Sequence, residues 1–274
     1  MTEIIDTFVL RNGVRIPRIG LGVYQAAAGE SARQAVAHAL ECGYRHVDTA
    51  AAYGNEEDVG EAIRRSEMPR EEIFVTTKVW NSDHGYENCL RAFETSRKKL
   101  GLEQIDLYLV HWPVQGKRLD TWKALETLLA DGKVRAIGVS NFLPRNLAEF
   151  VQSAKVLPMV DQIEVSPFFQ QRDTREWCER NGIVVEAYSP LTKGLRLKHP
   201  VVVDIAREMV CDGAQALIAW SLASGMVTLP KSVQPDRIRG NLAAGGLKLS
   251  QEAMRKLDGL EEGLVTGWDP RTQM

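Results

Sequence analysis

The chain has few of the residues that build metal centres and disulfide frameworks. It contains four cysteines and five histidines in 274 residues, and no two cysteines form a Cys-x-x-Cys pair. Neither a zinc site nor a dithiol redox motif is therefore indicated. Dispersed thiols are typical of proteins kept in a reducing compartment. We expect no structural disulfide and no metal site.

Long apolar runs and a strong excess of charge are also missing. No stretch approaches the ~18 apolar residues of a membrane span. Glu3 and Asp6 stand where a signal peptide would carry basic residues. Lys and Arg total 34 against 36 Asp and Glu, so the net charge is −2 and a nucleic-acid partner is not favoured. We expect a cytoplasmic monomer that acts on a small molecule, without a membrane or nucleic-acid partner.

The dinucleotide fingerprint Gly-x-Gly-x-x-Gly is absent too, because Gly-Leu-Gly at 20–22 lacks the third glycine and a following helix. Instead, short apolar strands alternate with helical stretches. Successive strands start 24–32 residues apart, except for a last interval of 43. This alternation predicts βα units and a parallel sheet. The predicted strands begin near Ile19, His46, Ile73, Ile105, Val134, Met159, Ile183 and Met226.

Eight such units without a linker predict one (β/α)8 barrel over residues 1–274, close to the roughly 250 residues typical of that fold. A doubly wound sheet is the structural alternative. Before the first unit, β-prone residues 7–10 and 14–16 flank Asn12-Gly13, a strong hairpin signal. We expect this hairpin to close the bottom of the barrel and Pro17 to break the pairing.

Ionisable residues follow three neighbouring predicted strands. Asp48 closes the second strand, Lys78 the third, and His111 comes after the fourth. In a barrel, the carboxyl ends of the strands meet at one rim, where function is found. Unpaired charges there are costly, so we expect the three groups to compensate one another. Other polar residues at strand ends are Ser140, Asn141, Gln162, Glu164, Tyr188, Ser189, Lys231 and Ser232.

Tyr53, five residues after Asp48, suggests carbonyl reduction. A tyrosine can act as a general acid, and we expect the Lys78 ammonium to lower its pKa from the usual value of about 10. Asp48 would hold Lys78 charged, and His111 would orient the carbonyl oxygen or share in proton donation. An alternative is an aldolase in which Lys78 forms a Schiff base with the substrate.

Several segments resemble one family. Residues 43–60, GYRHVDTAAAYGNEEDVG, resemble the first signature of the aldo-keto reductases, and the spacing of Asp48, Tyr53, Lys78 and His111 resembles their tetrad. VSN at 139–141, Gln162, YSPL at 188–191 and LPKS at 229–232 also match. The likeness runs from the hairpin to about residue 258. In its short loops and short tail, the chain is most similar to bacterial members that reduce diketo-gluconates, methylglyoxal and other small aldehydes.

The resemblance implies an NADPH-dependent reductase without a Rossmann fold. Tyr53 would be the proton donor, Lys78 and Asp48 the pair that adjusts its pKa, and His111 the residue that orients the substrate. Ser140, Asn141 and Gln162 would hold the nicotinamide carboxamide. Tyr188 would stack on the nicotinamide ring, and Ser189 to Leu191 would run beside the pyrophosphate.

Residues 231–241, KSVQPDRIRGN, resemble the family's adenosine-phosphate segment. Lys231, Ser232 and Arg237 would contact the 2′-phosphate, and Asn241 the adenine. The segment follows the last strand, where barrels commonly bind phosphate, and its cations suit a phosphate better than a bare ribose. The family usually has Glu where this chain has Gly240, a departure that would loosen the adenine end.

Three aromatic residues lie at or just beyond strand ends: Tyr24, Trp80 and Trp112. We expect them to line the substrate mouth, the alternative being packing between helices and barrel. Trp268, in the tail, could close over the site. A non-enzymatic role also stays open, because some members of the resembled family are channel-associated subunits or lens structural proteins.

Overall fold

The computed structural model describes residues 6–272 and begins with the predicted hairpin, formed by β1 (Thr7–Val9) and β2 (Arg15–Pro17). Thr7 pairs with Pro17, and the Arg18 amide donates to the Asp6 carbonyl at 3.0 Å. The expectation that Pro17 breaks the pairing is therefore wrong, because Pro17 is itself the last paired residue of β2. A proline is tolerated at this position because a strand terminus needs no amide donor from it.

The hairpin lies against the amino ends of the barrel strands. Asn12 Nδ2 donates to the carbonyl of Arg135 at 2.8 Å. The Arg11 guanidinium donates to the carbonyls of Asn181 and Gly182. These carbonyls stand where two strands enter the barrel, so the hairpin closes the bottom, as predicted.

Eight parallel strands form the barrel, and their order in the sheet follows the order in the chain. The first and last strands are joined by bridges between Ile19 and Thr228 and between Gly22 and Lys231. The Gly20 amide donates to the Thr228 carbonyl at 3.0 Å. A doubly wound sheet would leave these edges apart, so the barrel prediction is confirmed. The strands are β3 (Leu21–Gly22), β4 (His46–Asp48), β5 (Phe74–Val79), β6 (Ile105–Val110), β7 (Val134–Ser140), β8 (Val160–Glu164), β9 (Val184–Tyr188) and β10 (Val227–Leu229).

Helices cover the outside of the barrel. β9 is followed by two helices rather than one, which explains the interval of 43 residues before the last predicted strand. Among residues 6–272, no helix is long and apolar enough to cross a membrane. The helices are α1 (Glu30–Cys42), α2 (Glu56–Arg65), α3 (Tyr86–Leu100), α4 (Arg118–Ala130), α5 (Pro144–Ser153), α6 (Arg172–Arg180), α7 (Pro200–Glu208), α8 (Gly213–Ala223), α9 (Pro235–Ala243) and α10 (Gln251–Asp258).

The strands are buried because helices lie on one side of them and packed side chains on the other. Every residue of β5 and β6 is buried, as expected of a parallel sheet covered on both faces. Gly20 allows close packing inside, since a Cβ there would lie 2.7 Å from Nδ1 of His46. The polar residues at the carboxyl ends are thereby held on rigid strands around one mouth.

Candidate active site

A buried ion pair forms the base of the site. The Lys78 side chain is completely buried, and its Nζ donates to Oδ1 and Oδ2 of Asp48, both at 2.8 Å. It also donates to the Thr49 carbonyl at 2.8 Å. Burial raises the pKa of Asp48, and the Lys78 ammonium opposes that shift. The pair thus compensates two charges that would each be costly alone, as the sequence predicted.

Tyr53 lies directly above this pair, in a short 3-10 turn at residues 51–53 after β4. Lys78 Nζ is 3.4 Å from the Tyr53 hydroxyl oxygen and 4.9 Å from the centre of its ring. Because Lys78 donates to the phenolic oxygen, the phenolic proton stays available for another acceptor. The position of Tyr53 fits a proton donor held by a lysine.

The pKa of Tyr53 does not follow the expectation. Burial raises it well above 10, and the negative charge of Asp48 adds to the rise. The expectation that Lys78 lowers this pKa is therefore wrong for the protein alone. The carboxylate that neutralises Lys78 lies close to the phenol as well, so desolvation outweighs the lysine charge. A phenol in this state keeps its proton at neutral pH.

His111 completes the set of four. Its ring contacts the Tyr53 ring edge-on, with centroids 5.7 Å apart. Burial and the charge of Lys78 lower the pKa of His111 well below 6.5, so the imidazole is neutral at neutral pH. A neutral imidazole has one N–H to donate. Asp48, Tyr53, Lys78 and His111 are thus brought together as the sequence predicted.

The predicted carboxamide residues form one network beside this set. Asn141 has φ 63°, and its Nδ2 donates to the His111 carbonyl at 3.0 Å. Ser140 Oγ donates to the Gln162 carbonyl at 2.8 Å. The Tyr188 hydroxyl donates to Oδ1 of Asn141 at 2.8 Å, which fixes the tyrosine ring at the end of β9.

Gln162 connects this network to the ion pair. Its Nε2 donates to Oδ2 of Asp48 at 2.8 Å and to Oε2 of Glu186 at 2.5 Å. Both amide hydrogens are thereby used, which leaves the carbonyl oxygen of Gln162 to accept from a carboxamide N–H. Sequence reasoning missed Glu186. Its only signal was a charged residue inside the apolar strand IVVEA.

The predicted phosphate segment lies at the same mouth. Leu229 of β10 pairs with Tyr188, so Lys231 and Ser232 follow next to the turn that contains half-buried Ser189 and Leu191. Lys231 and Arg237 are exposed, and neither side chain makes a hydrogen bond or ion pair within residues 6–272. Residues 231–241 thus offer two unpaired cations.

The N-terminus of α9 adds to this positive site. Its N-cap residue, Gln234, makes no side-chain capping bond, so the first amides of the helix can bind a phosphate. Asn241 is buried on the same helix. Gly240 has open space around it, because a Cβ added there would have no neighbouring atom within 4 Å. The residues present therefore fit a phosphorylated dinucleotide, whose phosphate would lie at α9 and whose carboxamide would lie at Gln162.

Comparison with known proteins decides the family. The model of the aldo/keto reductase family matches residues 18–262. This chain belongs to the aldo/keto reductase family. It is 52% identical to 9,11-endoperoxide prostaglandin H2 reductase of Trypanosoma cruzi over 95% of this chain and 93% of that protein. It is 46% identical to glyoxal reductase of Bacillus subtilis over 98% of both chains.

Solved structures agree with this assignment. A mutant of Gox0644 in complex with NADPH superposes with a TM-score of 0.94 at 39% identity, over 99% of this chain and all of that one. An aldo-keto reductase from a deep-sea metagenome library of the Medee basin gives 0.94 at 42% identity, over 98% and 100%. The protein is thus an oxidoreductase of the aldo/keto reductase family, a carbonyl reductase with a nicotinamide cofactor.

Aromatic side chains surround the mouth of this aldo/keto reductase. The Trp80 ring lies 5.1 Å from His111 and the Tyr24 ring 5.0 Å from Tyr53. Trp268 lies 6.2 Å from Trp80 and 5.7 Å from Trp112. The structure therefore places the predicted mouth residues together and adds Trp268 from the tail.

Glu164 holds this tail in place. Its Oε1 accepts from the Thr266 amide at 2.8 Å and from the Thr266 hydroxyl at 2.5 Å. Its Oε2 accepts from the Gly267 amide at 3.3 Å. Glu164 was placed at a strand end by the sequence, but its contact with the tail was not predicted. A buried carboxylate at the end of β8 thus positions Trp268 over the mouth.

The geometry of this reductase disfavours the Schiff-base alternative. A nucleophilic lysine must be neutral and must reach the substrate carbonyl. Lys78 instead donates to Asp48 and to the Thr49 carbonyl, and it has no exposed surface.

Metal ligands are not clustered in the part of the chain that the structure describes. No group of three or more His, Cys, Asp or Glu in residues 6–272 is arranged to hold a metal ion.

Proposed function

We propose that this protein reduces aldehydes and ketones to alcohols with NADPH, with Tyr53 as the proton donor. The observation that carries the proposal is the buried Asp48–Lys78 pair, in which Lys78 also donates to the Tyr53 oxygen, beside a neutral His111. Each of the four side chains then has one task in the reaction.

The neutral His111 and the protonated Tyr53 both donate hydrogen bonds, and they orient the carbonyl oxygen of the substrate between them. When bound, the reduced nicotinamide supplies the hydride that the carbonyl carbon accepts. Negative charge then develops on the oxygen, and Tyr53 transfers its proton there. Lys78 stabilises the phenolate that remains, and Asp48 keeps Lys78 charged and in place.

Ser140, Asn141 and Gln162 would hold the carboxamide, and Tyr188 the nicotinamide ring, with Ser189 and Leu191 along the pyrophosphate. Lys231, Ser232 and Arg237 would bind the 2′-phosphate, with Asn241 at the adenine. This assignment is supported by the unpaired cations at α9 and by the NADPH complex of the Gox0644 mutant. We infer a preference for NADPH over NADH.

Aromatic side chains at the mouth, namely Tyr24, Trp80, Trp112 and Trp268, suit flat or small carbonyl compounds. The similarity to a glyoxal reductase supports dicarbonyl substrates. We therefore propose small and aromatic aldehydes, dicarbonyls and keto-sugars as the substrate classes. We further propose that the protein acts as a cytoplasmic monomer, a state that sedimentation at working concentration can check.

The test is NADPH oxidation with a panel containing methylglyoxal, aromatic aldehydes and keto-sugars, with NADH measured in parallel. We expect turnover with several aldehydes and a lower KM for NADPH than for NADH. A regulatory or structural relative would bind NADPH but oxidise it with no member of the panel. That outcome would overturn the proposal.

A further inference from the structure

Glu186 is a buried acid that the proposed reaction does not use. It is completely buried in the barrel interior and is the register partner of Gln162 on the neighbouring strand. Oε2 accepts from Gln162 Nε2 at 2.5 Å, and the same nitrogen donates to Asp48. One amide group is therefore shared between two carboxyl groups.

The charges around Glu186 do not balance if both carboxyl groups are ionised. Lys78 is the only Lys or Arg with a buried side chain in the described part of the chain, and it is committed to Asp48. The His46 Nε2 is 3.6 Å from Oε1 of Glu186, but burial lowers the pKa of His46 to about 3. His46 therefore supplies no positive charge at neutral pH.

A second carboxylate in this interior would be uncompensated, which is costly. Burial, and then the charge of Asp48, raise the pKa of Glu186 to about 8. Its Oε1 is buried without a hydrogen-bond partner among residues 6–272. Glu186 is thus held as a neutral acid close to the pH at which it would ionise.

The groups that face Glu186 come from each neighbouring strand. β8 contributes neutral Gln162, and β10 contributes Val227, the register partner of Glu186 on the other side. The titratable groups around it are His46 and Asp48 from β4, Lys78 from β5 and Tyr53 from the turn after β4. Within the described residues, none of them supplies a positive charge that is not already paired.

We propose that Glu186 sets the relative affinity of the site for the oxidised and the reduced cofactor. This inference rests on the proposed function, in which Gln162 holds the carboxamide. The oxidised nicotinamide ring carries a positive charge and the reduced ring carries none. A carboxylate at Glu186 therefore favours only the oxidised form. Binding of that form releases the Glu186 proton to solvent, whereas binding of the reduced form leaves it in place.

The ratio of the dissociation constants for the oxidised and the reduced cofactor should therefore depend on pH. The affinity for the oxidised cofactor rises as pH increases toward about 8, since less work is needed to remove the proton. The affinity for the reduced cofactor lacks this dependence. The 2′-phosphate, whose second pKa is about 6, is common to both forms, so its titration cancels in the ratio.

The experiment measures both dissociation constants by quenching of tryptophan fluorescence, from about pH 6 to about pH 9. In the wild-type protein, we expect the ratio of the constant for NADP⁺ to that for NADPH to fall about tenfold or more. In Glu186→Gln, which keeps the size and polarity of the side chain, the ratio should stay at its low-pH value.

Asp161→Asn is the matched control. Asp161 is also a completely buried carboxyl on β8, but its side chain faces the Cys178 thiol at 3.9 Å. This variant should keep the wild-type pH dependence. A pH-independent ratio in the wild-type protein, or an unchanged dependence in Glu186→Gln, would overturn the inference. Absence of binding by either cofactor would instead show that the proposed function fails.

Discussion

Tyr53 and Lys78 show how the surroundings of a side chain decide its chemistry. The sequence indicates a lysine beside a tyrosine, from which a lowered phenol pKa follows. The structure adds that Asp48 neutralises the lysine and that the phenol is desolvated, so its pKa rises instead. The tyrosine is therefore a proton donor because it stays protonated, and Lys78 acts by stabilising the phenolate formed after proton transfer.

Replacing Lys78 by Met tests this division of tasks. We expect a large loss of kcat, because the phenolate is no longer stabilised. We also expect the free energy of unfolding to fall by about 3–5 kcal/mol, because Asp48 is left as an unpaired buried carboxylate. The double variant Lys78→Met/Asp48→Asn should regain much of this stability in urea unfolding but not the activity. Recovery of both would show that Lys78 has only a structural role.

Arg237 and Arg239 provide a matched pair for the cofactor preference. Arg237 is without an ion pair in residues 6–272, whereas Arg239 lies 3.6 Å from Asp236. A charge-assisted hydrogen bond is worth about 1.5–3 kcal/mol, so Arg237→Ala should weaken NADPH binding by about tenfold or more and leave NADH binding nearly unchanged. Arg239→Ala should affect both little. Equal losses for both cofactors in Arg237→Ala would contradict the phosphate contact.

Among single residues, the tetrad could be predicted because its members lie at or just after the carboxyl ends of predicted strands and match the motifs of the resembled family. Glu186 could not be, since its contact with Gln162 depends on the register between β8 and β9. Register is not visible in a run of apolar residues that lacks strict alternation. The pKa of Tyr53 was missed for a related reason, because its burial depends on the whole barrel.

The segment after α10 is an element that periodicity does not reveal. It has no regular secondary structure at residues 261–265, yet it crosses the mouth and carries Trp268. Glu164 binds its amides, and Lys193 Nζ donates to the Thr266 carbonyl at 2.6 Å. The segment is therefore held by these polar contacts together with the packing of Leu264 and Trp268.

Glu164→Ala should release this segment. We expect faster hydrogen exchange at the Thr266 and Gly267 amides, because both lose their acceptor. KM for aromatic aldehydes should rise while kcat changes little, since the tetrad is untouched. Trp268→Ala should reproduce the rise in KM without the change in exchange. An unchanged KM in both variants would mean that the tail does not contribute to the mouth.

At the scale of the whole molecule, the barrel was predictable because strand and helix patterns alternate regularly along the sequence. Predicted strand starts fall within two residues of the observed ones. The pattern could not predict that the first and last strands meet to close the barrel. That closure depends on bridges such as the one between Gly22 and Lys231, which are 209 positions apart in sequence. The pairing of Pro17 was also missed, because local sequence shows the lost donor but not the edge position that tolerates it.

The barrel interior should also make stability depend on pH through Glu186. Its pKa is raised from 4.5 to about 8 in the folded protein, so between these values the folded state binds more protons than the unfolded chain. Stability from this group is complete below about pH 4.5 and is lost as pH rises to about 8. Relative to that of Glu186→Gln, the free energy of unfolding of the wild-type protein should fall by a few kcal/mol over that pH range. Urea unfolding at several pH values measures this, and parallel stability curves would contradict it.

The central claim is that Tyr53 gives its proton to the developing alkoxide, and Tyr53→Phe tests it most directly. The variant keeps the ring that contacts Tyr24 and His111 and removes only the hydroxyl. General acid catalysis typically contributes about 10²–10⁴-fold. The single-turnover rate of NADPH oxidation with a good aldehyde should therefore fall by a factor of this size or more. NADPH affinity, measured by fluorescence, should stay close to the wild-type value. A single-turnover rate equal to that of the wild-type protein would contradict the account.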